Sequence, residues 1–182
     1  MAIKTFVFEN LSDKEKRHAQ VQSALREYTG IDSAEVVYSN RGKPSVKGLP
    51  EEMYISVTTA DEVMVVVFAD KPVGIDGERL TRFENDTREN KPDYVNLAER
   101  FFTGEEAEYV REGTVEGENF ANVWVRKEAY VKFTGKGMSD FLNFSVVDNG
   151  KLLNKVNGVT IKKLNVVFPG SNDYLFIIAG EN

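Results

Sequence analysis

The chain of 182 residues contains no cysteine and one histidine. The missing cysteine excludes disulfides, cysteine nucleophiles and thiolate metal sites. The scarcity of histidine excludes a multi-imidazole metal site and weakens any Ser-His-Asp arrangement. Long apolar stretches are also absent. The longest, residues 63–69, is far shorter than the roughly 20 residues of a membrane-spanning helix. The opening Met1-Ala2-Ile3-Lys4-Thr5-Phe6 has no apolar core of a signal peptide. Basic residues are in deficit: 23 Lys and Arg against 29 Asp and Glu give a net charge of −6. That balance argues against general nucleic-acid binding by counterion release. The expectation is a soluble cytoplasmic protein, with neither nucleic acid nor membrane as partner, whose chemistry rests on carboxylates and amines.

Apolar residues make up 41% and charged residues 29% of the chain, which suits one packed domain or two small halves sharing a core. Ile3-Lys4-Thr5-Phe6-Val7-Phe8 reads as a strand. Ser12-Asp13-Lys14-Glu15 has the form of a capping box. Val21, Ala24, Leu25 and Tyr28 then follow at helical spacing, with Gly30 as the C′ residue. Residues 34–38 predict a strand closed by Asn40-Arg41-Gly42-Lys43-Pro44. Residues 54–59 and 63–68 predict a hairpin, and residues 73–78 a fourth strand. The highly charged stretch 79–91 reads as a solvated loop. Pro92 is placed to open a helix carrying Val95, Ala98 and Phe102. Thr103-Gly104-Glu105-Glu106 is a second capping box, whose short helix stops near Gly113. A longer helix is expected over residues 119–133, ending at Gly135. Strand-like runs at 145–147, 159–161, 166–168 and 174–179 alternate with turn signals at 148–150 and 169–170. The sum is an α+β fold with a mostly antiparallel sheet.

Four segments do not fit a bland fold. The apolar stripe Phe120, Val123, Trp124 and Val131 also takes in Lys127 and Glu128, with Lys132 one turn beyond. Charges on a buried stripe are costly unless paired or functional; the alternative is a surface ion pair beside a narrower stripe. In Val73-Gly74-Ile75-Asp76-Gly77-Glu78, the carboxylates of Asp76 and Glu78 share one face of a strand. Two adjacent carboxylates repel unless a cation separates them, and an all-oxygen donor set suits a hard cation such as Mg²⁺; the alternative is a solvated strand end. Arg41-Gly42-Lys43-Pro44 sets a lysine in a rigid turn where it can meet a phosphate, or forms an ordinary surface turn. Thr134-Gly135-Lys136-Gly137 stops a helix and can also present Lys136 to an anion. Together these residues point to a Mg²⁺–diphosphate site.

In order and spacing, these segments resemble the 4′-phosphopantetheinyl transferases of the surfactin-synthetase-activating type. The family pattern is a Gly-Lys-Pro turn, an Ile-Ser-His-Ser strand, Gly-Ile-Asp-x-Glu, and Trp-x-x-Lys-Glu-Ala-x-x-Lys followed by Gly-Lys-Gly. Here the corresponding stretches are Gly42-Lys43-Pro44, Ile55-Ser56-Val57-Thr58, Gly74-Ile75-Asp76-Gly77-Glu78, and Trp124-Val125-Arg126-Lys127-Glu128-Ala129-Tyr130-Val131-Lys132, then Gly135-Lys136-Gly137. Ala98-Glu99-Arg100-Phe101-Phe102-Thr103 also looks like the family's helix before its second capping box. The resemblance covers roughly residues 17–147.

That resemblance implies a pseudo-two-fold fold of two similar α+β halves, residues 1–70 on the nucleotide side and 71–182 carrying the metal and catalytic motifs. The active site would lie in the cleft between them. It implies transfer of 4′-phosphopantetheine from coenzyme A to a serine of an acyl or peptidyl carrier protein, with 3′,5′-ADP leaving. Carried over residue by residue, Asp76, Glu78 and Glu128 would hold Mg²⁺, with Mn²⁺ as the alternative. Glu128 and Lys132 would be catalytic: Glu128 takes the serine proton, directly or through water, and Lys132 donates to a phosphate oxygen. Lys43, Pro44, Ser56, Asp76, Lys127, Lys132 and Lys136 would contact coenzyme A. In the charged stretch, Arg79, Arg82, Arg88 and Lys91 can form a local basic patch for the carrier protein, the alternative being a solvated loop; a monomer is expected.

One departure stands out. Where the family has a histidine that helps bind the 3′-phosphate of coenzyme A, this chain has Val57. A charge-assisted hydrogen bond contributes about 1.5–3 kcal/mol, so its loss would weaken binding about 10- to 200-fold unless Lys14, Lys16, Arg17 or Arg41 compensates. The N-terminal half is also shorter than is usual for the type, leaving its basic phosphate contacts unmatched. Three readings follow: an active transferase, a non-catalytic binder of coenzyme A or of a carrier protein, and another Mg²⁺-dependent phosphoryl-transfer enzyme on the same scaffold.

Overall fold

The computed structural model describes residues 2–11, 13–40, 42–84 and 92–181. The chain builds β1 (Ile3–Phe8), α1 (Lys14–Thr29), a ribbon of β2 (Glu35–Tyr38) and β3 (Pro44–Lys47), and a hairpin of β4 (Tyr54–Ala60) and β5 (Val63–Ala69). After β6 (Val73–Arg79) come the helices α2 (Thr81–Glu84), α3 (Tyr94–Phe101), α4 (Gly104–Arg111) and α5 (Glu116–Thr134). Five strands follow: β7 (Val147–Asp148), β8 (Lys151–Leu152), β9 (Lys155–Val156), β10 (Val159–Lys163) and β11 (Tyr174–Gly180). One sheet has the order β1-β5-β4, a second β6-β11-β10-β9, and all pairings are antiparallel. The architecture is α+β.

β5 shows why its sequence is a continuous apolar run rather than an alternating one. It is the middle strand of its sheet and is buried on both faces. Met64, Val66 and Phe68 pack against Val21, Ala24 and Leu25 of α1. Val63, Val65 and Val67 pack against Val73 and Ile75 of β6 and against Phe176 and Ile178 of β11. β5 thus stands between two cores, one under α1 and one shared with the second sheet. A third core lies beneath α5, where Val123, Ala129 and Val131 meet Ile161, Leu175 and Ile177.

Helix ends follow local chemistry. The Thr103 capping box is complete: Thr103 Oγ1 accepts from Glu106 N–H at 3.4 Å, and Glu106 Oε2 accepts from Thr103 N–H at 2.9 Å. α5 stops at Gly135, whose φ of 74° lets its N–H reach the Val131 carbonyl. At the start of α1 the expected cap is corrected: Asp13 accepts from Glu15 N–H at 2.8 Å, while Ser12 lies outside the described residues. Pro92 does not open α3; Asp93 caps it by accepting from Asn96 N–H at 2.9 Å. The charged stretch after β6 is not wholly loop, since Arg79 ends β6 and residues 81–84 turn helically; residues 85–91 lie outside the description. Residues 166–168 form no strand. Val166 and Phe168 pack inward while Val167 is exposed, but this extended run finds no strand to pair with. Among the described residues no helix is long and apolar enough to cross a membrane.

α5 crosses β6 at Gly74. A Cβ there would lie 2.1 Å from the Ala129 carbonyl oxygen and 2.4 Å from the Phe133 nitrogen, both backbone atoms that cannot rotate away. Gly74→Ala is therefore expected to destabilise the fold by about 1–3 kcal/mol or more, read as a lower urea midpoint at unchanged slope.

Candidate active site

Glu128 and Lys132 lie one helical turn apart on α5, and Lys136 follows just past the helix stop. Opposite them, β2 and β3 carry the Gly42-Lys43-Pro44 turn, and β4 carries Ile55, Ser56 and Val57. These residues line one cleft of about 480 Å³, within the roughly 300–1,000 Å³ typical of small-ligand pockets. Its walls come from the β2–β3 ribbon, β4 and the C-terminal end of α5. Lys43 reaches across it, with its Nζ 3.0 Å from the point a Cβ on Gly135 would occupy.

Asp76 is buried behind Lys132, which donates to its Oδ1 at 2.7 Å. Thr58 Oγ1 donates to the same oxygen at 3.1 Å and itself accepts from Gly77 N–H at 3.1 Å. Ser56 Oγ accepts from Ile75 N–H at 3.0 Å. Ser56 thus lines the cleft and also fastens β4 to β6. The role of Thr58 was missed in the sequence. The available signal was the alternation of hydroxyls at 56 and 58, which puts both on one face of β4.

Glu78 does not line that cleft but a separate groove of about 280 Å³, with Tyr94, Leu97, Phe101, Phe120 and Trp124. Arg82 donates to its Oε2 at 3.1 Å. Of the expected basic patch, Arg79 pairs with Asp61 at 3.6 Å and with Asp173 at 3.9 Å. Arg88, Lys91 and Arg41 lie outside the described residues.

Lys127 departs from expectation. The resemblance implies a coenzyme A contact for it, yet its side chain is fully enclosed, away from the cleft. Its Nζ donates to both oxygens of Glu106 and to the Phe144 carbonyl, each at 2.7 Å. It also sits 4.2 Å from the centroid of the Phe144 ring. Glu106 in turn accepts from Val146 N–H at 2.8 Å. The pair ties α4, α5 and the chain at 144–146 together. Burial pulls the ammonium below its ordinary pKa, and Glu106 opposes that shift.

The electrostatics single out Glu128. Burial raises its pKa most, the Asp76 and Glu78 charges raise it further, and Lys132 opposes them. Glu78 is also pushed up, chiefly by burial and then by Asp76, against the pull of Arg82. Three carboxylates thus act on one another with two cations among them. Among the described residues no three acidic or imidazole side chains are gathered as metal ligands. The all-oxygen donor set nonetheless fits Mg²⁺, which takes one or two carboxylates and completes its shell with water and substrate phosphates.

Residues 72–166, slightly more than half of the chain, match the family model of the 4′-phosphopantetheinyl transferase superfamily. A 4′-phosphopantetheinyl transferase of Bacillus subtilis is 26% identical over 137 residues, which is 71% of this chain and 56% of the relative. One of Bacillus pumilus is 28% identical over 123 residues, 65% of this chain and 48% of the relative. The 4′-phosphopantetheinyl transferase Sfp of Bacillus subtilis is 26% identical over 125 residues, 65% of this chain and 50% of the relative. The chain spans about half the length of the curated relatives it matches.

Breaking a buried ion pair leaves its partner uncompensated, at a cost of about 3–5 kcal/mol. Lys127→Met is expected to lose stability of that order while ligand affinity of the folded fraction is kept, read by urea unfolding beside calorimetry. Glu128 gives a prediction of opposite sign. Its raised pKa means that the folded state holds a proton more tightly than the unfolded state. Its stabilising contribution is therefore present below the ordinary glutamate pKa and is lost as pH rises through the raised one. Free of divalent cations, Glu128→Gln should melt above the wild type at pH 7, and the gap should close on acidification.

Proposed function

The chain belongs to the 4′-phosphopantetheinyl transferase superfamily, and from that premise we propose that it transfers 4′-phosphopantetheine from coenzyme A to a serine of an acyl or peptidyl carrier protein. The observation that carries the proposal is the convergence of Glu128, Lys132 and the Asp76 behind it on the cleft walled by the Gly42-Lys43-Pro44 turn. The N-terminal half, residues 1–70, holds the nucleotide, and the C-terminal half, residues 71–182, carries the reacting groups. Lys43 and Lys136 flank the cleft and offset the charge of the diphosphate. Lys132 has three N–H donors; one is held by Asp76 and a second reaches the Val57 carbonyl at 3.5 Å, which fixes the ammonium and leaves the third for a phosphate oxygen.

In the reaction the serine oxygen attacks the phosphorus that bears pantetheine. The bond from that phosphorus to the bridging oxygen breaks, and 3′,5′-ADP leaves. Glu128 takes the serine proton; a carboxylate raised by burial and by its neighbours is a better base than one on the surface. Asp76, Glu78 and Glu128 would hold a Mg²⁺ or Mn²⁺ ion, which when bound supplies charge neutralisation at the diphosphate. The reading takes the protein as a monomer that meets its carrier protein in the cytoplasm.

Val57 favours a second reading, a family member that binds coenzyme A or a carrier protein without catalysis. Intact-protein mass spectrometry separates the two. The purified protein is mixed with apo carrier proteins, coenzyme A and Mg²⁺, with EDTA as control. A Mg²⁺-dependent gain of one phosphopantetheine on the carrier is expected, and Glu128→Ala should lower its rate about 10²- to 10⁴-fold. Retained activity in that variant would remove Glu128 from the mechanism. No gain on any carrier, with coenzyme A still raising the melting temperature, would select the binding reading.

A further inference from the structure

We propose that Thr58 is a positioning residue that selects the cation at this site: with Lys132 it occupies Oδ1 of Asp76, so that Oδ2 alone is offered to a metal and Mg²⁺ is preferred over Ca²⁺. The inference rests on the reading of Asp76 and Glu128 as metal ligands. Thr58 and Asp76 are both buried, at 4% and 7% exposure. Thr58 Oγ1 donates to Asp76 Oδ1 at 3.1 Å. The same hydroxyl oxygen accepts from Gly77 N–H at 3.1 Å, which fixes its place against β6. As a β-branched residue within β4, threonine also has a restricted χ1. Fastening the two strands needs only an acceptor for Gly77. The donor half of the hydroxyl is spent on Asp76.

Lys132 Nζ donates to that same Oδ1 at 2.7 Å. A carboxylate oxygen has two lone pairs, and on Oδ1 both meet donors. Neither of these bonds falls on Oδ2. The carboxylate on β6 is therefore gripped between a side chain of β4 and one of α5. Turning Oδ1 onto an ion would leave a buried hydroxyl without its acceptor. The grip matters because the two ions differ in what they take. Mg²⁺ is small and demands a near-octahedral shell. Ca²⁺ is larger and readily takes both oxygens of one carboxylate. The Asp76 charge acts on Glu78 and on Glu128, so its orientation bears on the whole carboxylate group. Hydrogen-bond partners behind a ligating carboxylate typically set metal affinity by about 10- to 100-fold.

The test needs neither coenzyme A nor turnover. Mn²⁺ alone is titrated into the protein and followed by the electron paramagnetic resonance signal of the free ion; Mg²⁺ and Ca²⁺ are then read by displacement of Mn²⁺. The wild type is expected to bind Mg²⁺ more tightly than Ca²⁺. Thr58→Val keeps the shape of the side chain and removes the hydroxyl. It should bind Mg²⁺ about tenfold more weakly and lose much less for Ca²⁺, so the ratio of the two affinities falls. Thr58→Ser keeps the hydroxyl and should restore the ratio. A general loosening of the seam weakens both ions alike and does not imitate this result. A crystal of the wild type soaked in Mn²⁺ gives a second readout that needs no variant: the ion should lie on Oδ2 of Asp76, with Thr58 still on Oδ1. No preference for Mg²⁺ in the wild type, an undiminished ratio in Thr58→Val, or an ion held by both oxygens would overturn the assignment and leave the metal reading standing. If the wild type does not bind Mn²⁺, both fall.

Discussion

The seam between β4 and β6 is the constraint on which the site depends. Two hydroxyls close it: Ser56 accepts the N–H of Ile75, and Thr58 accepts the N–H of Gly77. Buried amides must find acceptors, and here side chains provide them. The same bonds bring the first sheet against the strand that carries Asp76 and Glu78. Because Thr58 also donates to Asp76, the seam orients a candidate site residue as it joins the sheets. β5 reinforces the join by burying opposite faces against α1 and against β6 and β11.

On the other side of β6, α5 approaches closely at Gly74, which brings Lys132 within 2.7 Å of Asp76. The site is therefore a three-way junction of β4, β6 and α5, completed by the turn at Gly42–Pro44. Its carboxylates repel one another and lie partly out of water, so the folded state bears a cost there. The Lys127–Glu106 pair has the opposite character. It is fully enclosed, has every contact satisfied, and keeps α4 and the 144–146 segment against α5.

Adjacent residues on one helix thus serve different ends. Lys127 enters the core and Glu128 faces the cleft, as the roughly 100° step between successive helical residues requires. The family match, residues 72–166, takes in β6 and α5 of this junction but not β4.

Local signals were legible in the sequence. The helix stops at Gly30 and Gly135, the Thr103–Glu106 capping box and the β4–β5 hairpin each depend on residues a few positions apart, so neighbours alone determine them. The motif residues around Asp76, Glu128 and Lys132 stood out for the same reason, as charges set among apolar positions. Where the contacts are distant, only the tertiary structure decided. Lys132 meets Asp76 across 56 positions, and Lys127 meets Glu106 across 21. Periodicity placed Lys127 on a face but could not say what would cover it. The run at 166–168 has the β-branched and aromatic residues of a strand and finds no partner. A residue's chemistry is intrinsic to the sequence; whether it is buried, paired or presented to a ligand depends on which distant segments pack against it.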